Sequence, residues 1–408
     1  MDTILHLMQI EKLARQINPR RTRKRPVKPR RRTPAKLYRL KYGNLLSLAA
    51  AAIAISWIVT IPFRTRHTPE PPIVSQPAAS SPLLLQTTSK SPSSKGDRSF
   101  AYNIKTPPNQ IYSQELQAIV DETVNIATRK KLPTAPLSIT LIDVSSSQIH
   151  TFAGYQNQTA RFPASVVKLF WLVGFYAAIE KGIIQKDESS FTSDLDQMMR
   201  VSNNDAASRL LDTITDTESG QELKGEQLQT WLKKRQQINT FFQSAGYEGI
   251  KLTTKNYPIY YLRQEQPKGR DLQLRTESPK SIRNQVTTDQ AARLLYEIYT
   301  RQAVSPIASR KMAYLLTRDL ESKAWKNDPS NSIKGFLGES LPTNIYFGSK
   351  VGYTSGSRQE AAFIRSLDDR AIYVLVIFAD DPAYAKDEKI FPQMSRYVFD
   401  RLSDRGPK

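Results

Sequence analysis

The chain of 408 residues contains no cysteine, which excludes disulfides, thiolate catalysis and cysteine-bound metals. Histidine is almost as scarce, with only His6, His67 and His150, so there is little room for a Ser-His-Asp triad or a histidine-rich metal site. No metal or organic cofactor is implied. Acidic residues are outnumbered, 38 against 59 Lys and Arg, giving a formal charge of +21. The imbalance is local. Residues 1–43 carry 14 Lys/Arg against Asp2 and Glu11 alone, a net +12, and their Arg20–Arg32 block with interspersed prolines reads as a solvated basic arm.

Charge of either sign then disappears from Tyr42 to Phe63, where the run from Leu45 to Ile61 is strongly apolar. Twenty-two helical residues span roughly 33 Å, enough to cross a bilayer core. Residues 44–63 are therefore expected to form a single transmembrane helix. The basic arm, by the positive-inside bias, stays cytoplasmic, and the remainder lies outside the bacterial inner membrane. Nucleic-acid binding is the competing reading of the arm, and the adjacent apolar segment argues against it. A cleaved signal peptide fits poorly, because the basic region is long and no small-x-small site follows Phe63. Residues 64–108 hold eight prolines and eight serines, the composition of a linker, which leaves 109–408 as the folded domain.

Within that domain, apolar positions from Ile111 to Ile126 repeat at helical spacing, and two strands are expected at 137–143 and 148–152. From Pro163 to about Leu316 the pattern is helical, with a polar excursion between Asp212 and Val286 in which Asp216–Arg235 reads as an inserted charged helix. Strands return at 344–350, 361–365 and 372–378, before an amphipathic helix at 391–402. Strands at both ends with helices between them predict an α+β domain. Its five-stranded antiparallel sheet is built from both ends, flanked by helices, with a helical lobe against it.

Three short segments carry chemistry. Ser165-Val-Val-Lys168 opens a run of almost unbroken apolar residues, placing a hydroxyl and an amine on one face of a buried helix near its start. Taken alone it also fits a capping serine and a snorkelling lysine. Ser202-Asn-Asn204 falls between two helical stretches, with Asn204 or Asp205 as the cap of a helix beginning at Ala206. Alone, these too are ordinary cap residues. Lys350-Val-Gly352 ends an apolar strand, where the glycine permits close approach of a substrate and the lysine alone could be an edge charge.

Together and in this order, Ser-x-x-Lys, Ser-x-Asn and Lys-x-Gly resemble the signature set of the penicillin-recognising serine hydrolases, and the elements over residues 111–403 resemble the class A β-lactamase group. The resemblance implies that Ser165 attacks a carbonyl, that Lys168 is its base, kept neutral with help from Lys350, and that Ser202 relays the proton. It also implies that Asn204 and Lys350 bind substrate, and that the backbone N–H groups of Ser165 and Tyr353 form an oxyanion hole. Rapid class A enzymes carry a glutamate followed by proline between the second and third motifs; the matching position here is Tyr257, before Pro258. Glu265 and Glu277 are the carboxylates further along that loop. Asn203 replaces the usual aspartate, and Val351 the usual threonine or serine. The first and second motifs lie closer together than usual, the second and third further apart.

The implied function is a membrane-anchored, monomeric serine hydrolase of β-lactams or related amides. The alternatives are a D-alanyl-D-alanine peptidase or slow esterase acting on peptidoglycan-related substrates, and a cell-wall-binding module without turnover.

Overall fold

A computed structural model describes Pro72 and residues 100–276 and 283–405. The expected basic arm and transmembrane helix lie outside the described residues. Among the described residues no helix is long and apolar enough to cross a membrane.

Six strands form one sheet: β1 (Ile111–Tyr112), β2 (Leu137–Asp143), β3 (Thr151–Tyr155), β4 (Tyr346–Thr354), β5 (Ser357–Arg365) and β6 (Ile372–Ala379), in the order β1-β3-β2-β6-β5-β4. Five were expected. The sixth is β1, two residues that extend the helical pattern in sequence but instead pair parallel with β3; the other neighbours are antiparallel. Helix α1 (Gln114–Arg129) starts only after Ser113, whose hydroxyl caps the Leu116 N–H. The pairing of β2 with β6 joins the two ends of the domain.

One face of the sheet packs on α1 and on the last helix, Ile390–Ser403, in a core containing Leu141, Val351, Phe391 and Met394. The other face packs on the helical lobe. At the lobe's centre, α2 (Val167–Glu180) is apolar all round, as a helix buried on every side must be. Around it stand α3 (Thr192–Arg200), α4 (Asn204–Thr215), α5 (Gly225–Gln243), α6 (Gly269–Thr276), α7 (Thr288–Tyr299) and α8 (Pro306–Leu316). The charged helix expected at 216–235 is α5, shifted about nine residues later because 216–224 form the connection after α4.

Residues 100–104, within the expected linker, lie against the lobe. Tyr102 is buried, its hydroxyl donating to Glu297 at 2.7 Å, and Phe100 stacks on Phe241.

Candidate active site

The turn before α2 is fixed from the sheet. Buried Gln359 of β5 donates to the Phe162 carbonyl at 2.8 Å, and Asp380 accepts the Phe162 N–H at 3.0 Å. Ala164 takes φ +45, and residues 164–166 form a 3-10 turn that runs into α2. A left-handed alanine is strained by about 1–3 kcal/mol, a cost that marks turns held by their surroundings. Ser165 follows it, half-buried and lining a cleft of about 1110 Å³.

One turn on, Lys168 is completely buried. Its amine donates to the Ser202 carbonyl at 2.5 Å, to Asn204 Oδ1 at 2.8 Å and to Ser202 Oγ at 3.3 Å. Burial lowers its pKa to about 7, so a large neutral fraction exists near neutrality. Lys350 of β4 is buried as well, and donates to Ser202 Oγ at 2.9 Å and to its neighbour's carbonyl, Val351 O. Burial first, and the charge of Lys168 second, hold Lys350 well below the ordinary lysine range. The repulsion expected to act on Lys168 therefore bears on Lys350, while Lys168 is depressed by desolvation. Two amines thus meet one hydroxyl, Ser202 Oγ, which can accept from one and donate to the other.

Ser202 reaches both through its backbone, at φ +58 between α3 and α4. The cap of α4 is Asn203, not Asn204 or Asp205: its Oδ1 accepts the Ala206 N–H at 2.9 Å, and the helix starts at Asn204. An asparagine supplies that acceptor as well as the family's aspartate would. Asn204, freed from capping, lines the cleft.

Gly352 faces the protein, not the substrate. A Cβ there would lie 2.6 Å from the Pro163 carbonyl and 3.0 Å from the Ser165 nitrogen, so the glycine lets β4 press against the serine turn. On β4 the carbonyls of Phe347 and Ser349 point to its outer edge, accepting from Arg318, and Val351 O points there to meet Lys350. Alternation along an antiparallel strand puts the Tyr353 N–H on that same edge. It therefore faces the turn whose first N–H groups, Ser165 among them, have no helical partner. The Tyr353 ring is half-exposed at the cleft, beneath Arg358 at 5.2 Å.

Of the loop residues, Tyr257 and Glu265 line the cleft, while Glu277 lies outside the described residues. The Tyr257 hydroxyl is buried without a hydrogen-bond partner, and burial, then the charge of Asp271, raise its pKa. It is a neutral phenol turned towards an interior cluster in which Asp212 accepts from Arg235 at 2.7 Å and from Lys255 at 2.5 Å. Val351, in place of a hydroxyl residue, packs in the core beyond the sheet.

Sequence reasoning missed Thr354, Ser355 and Ser357, whose turn lines the cleft and whose hydroxyls meet at 2.8 Å between Thr354 and Ser357. The Thr-Ser-Gly run after Gly352 was the available signal. It also missed Asn256, which donates to the Ala164 carbonyl at 3.3 Å, and Arg318, which ties Met199 to Ser349; neither leaves a local pattern.

Among the described residues no group of acidic or histidine side chains could hold a metal.

Comparison with known proteins places these residues in a family. The sequence profile of the beta-lactamase enzyme family matches residues 116–402. No curated protein sequence matches. Among solved structures, PBP-A is similar with a TM-score of 0.50 and 14% identity, over 73% of this chain and 100% of that one. A mutant of PBP-A solved as its acyl-enzyme complex with penicillin G gives the same TM-score, identity and coverage. A beta-lactamase from Sphaerobacter thermophilus DSM 20745 is 16% identical over 71% of this chain and 99% of that one, with a TM-score of 0.48.

Proposed function

The chain belongs to the beta-lactamase enzyme family, and from that premise we propose a serine hydrolase that is acylated by β-lactams or related amides and releases the acyl group slowly. The observation that carries this is the buried amine of Lys168, poised near neutral pH one turn from Ser165 and sharing Ser202 with Lys350. In the proposed reaction the Ser165 hydroxyl proton passes to neutral Lys168 as Oγ bonds to the carbonyl carbon. The carbonyl oxygen takes the negative charge between the Ser165 and Tyr353 N–H groups, each worth about 3–4 kcal/mol in comparable sites. Collapse breaks the C–N bond, and the proton returns through Lys168 and Ser202 to the leaving nitrogen. An ester on Ser165 remains.

Slow release is supported by Tyr257. Where a carboxylate would activate the hydrolytic water there is a neutral phenol facing away. Glu265 is the carboxylate that lines the cleft from the same loop, and it is exposed. The same observation favours a second reading, a D-alanyl-D-alanine peptidase working on peptidoglycan peptides. Residues 44–63 would anchor either enzyme, with residues 64–408 outside the membrane.

Incubation with a chromogenic β-lactam, followed by intact mass, tests the proposal. A stoichiometric adduct that disappears in Ser165→Ala is expected. Absence of adduct and of turnover with β-lactam, ester and peptide substrates alike would leave only a binding module.

A further inference from the structure

The loop between the second and third motifs is closed at a neck, where buried Asn284 pairs with Thr254 through both its amide groups, at 3.0 and 2.7 Å. Beyond that neck the chain brings two arginines, Arg275 at the end of α6 and Arg283, to the wall of the same cleft that holds Ser165. Neither makes an ion pair among the described residues. Arg275 stands 5.7 Å over the Tyr257 ring with its Nε buried and without a partner, and Arg283 stands 5.9 Å over Phe162.

Several buried guanidinium groups elsewhere in the domain have partners, although Arg318 is held by two carbonyls alone with its Nε unpartnered. Arg235 has Asp212, Arg293 has Glu297, and Arg358 is held by three backbone carbonyls. Arg275 is partly buried and Arg283 exposed; a partly buried cation without a counterion is costly, and the cost is recovered when an anion arrives. Burial first, and the charge of Arg283, act against the charge of Arg275, while Tyr257 and Asp271 act in its favour. The acidic groups of the cleft do not supply the missing partner. Asp380 is occupied by Phe162 and Gln359, and exposed Glu265 makes no ion pair among the described residues. Asp271 pairs with Arg235 at 3.8 Å and makes no ion pair with Arg275, although its charge favours that of Arg275.

The cleft, about 1110 Å³, exceeds the roughly 1,000 Å³ upper range of small-molecule pockets, leaving room beyond a bicyclic lactam. We propose that Arg275 and Arg283 form an anion subsite for a carboxylate on the substrate's acyl side, remote from the reacting carbonyl. The preferred substrate is then an acidic peptide or acylamino group. This rests on the acyl-enzyme reading above.

The test compares two penicillins that differ only by a carboxylate added to the side chain, in the second-order rate of adduct formation. The wild type is expected to prefer the carboxylated compound by about tenfold, as a charge-assisted contact would give. The ratio falls to about one in Arg275→Gln/Arg283→Gln, survives in the double lysine variant, and inverts in Arg283→Glu. A wild-type ratio of one, with acylation intact, overturns the subsite and leaves the acyl-enzyme reading standing. If neither compound acylates the wild type, that reading fails, and calorimetry of both with Ser165→Ala decides. Tighter binding of the carboxylated compound supports the subsite; equal binding, or none, overturns it.

Discussion

Lys168 loses its hydration on folding, and its pKa of about 7 compares with about 10.4 for a free lysine. Between those values the unfolded chain binds the extra proton, so the fold gains stability as pH rises from about 7 towards 10. The same shift sets activity. Acylation needs the neutral amine, so its rate should climb up to tenfold per pH unit below 7 and level off above. Lys168→Met should lower it by at least about 100-fold. Stopped-flow acylation between pH 5 and 9 reads both, and a flat wild-type profile would refute the role. Tyr257 carries the opposite expectation. Its hydroxyl is buried and unbonded, so Tyr257→Phe should leave acylation and release within about twofold of wild type and should not lower thermal stability.

The second motif depends on where α4 begins. Asn203 holds that start, and Ser202 is turned by its left-handed backbone to offer both its oxygens to Lys168. Asn203→Ala should cost about 1 kcal/mol and slow acylation, whereas Asn203→Asp should restore both. Denaturant melts paired with acylation rates check this; an Ala variant as stable and as fast as wild type would contradict it. The sequence offered Asn204 or Asp205 as the cap and not Asn203, because Lys168 takes the Asn204 oxygen and the Tyr260 N–H takes that of Asp205, contacts between distant residues that leave no local pattern. Gly352 was legible as a close approach, and the approaching partner, the Pro163–Ser165 turn, was not. β1 escaped notice because two residues cannot show a period, and only the edge of β3 makes them a strand.

Across the whole molecule, strands at both ends and a helical middle foretold one sheet closed by its terminal segments, and β2 beside β6 is that closure. The apolar alternation of β4–β6 and the unbroken apolar run of α2 carried the information. What no local pattern carried were contacts between distant polar groups. Lys255 with Asp212 and Arg318 with Ser349 are examples. Each depends on packing that brings together residues tens of positions apart. For the chain as a whole, the charge block before residue 44 and the uncharged stretch from Tyr42 to Phe63 predict a topology. A reporter enzyme fused after residue 100 should be active outside the cytoplasm, and cytoplasmic activity would refute the proposed orientation.

The central claim is that Ser165 is acylated efficiently and released slowly, and time-resolved intact mass after a single addition of penicillin G tests it most directly. An adduct that forms at least about 100 times faster than it decays is predicted, with formation tracking the ionisation of Lys168 near pH 7. Turnover of the penicillin with no adduct accumulating would contradict it.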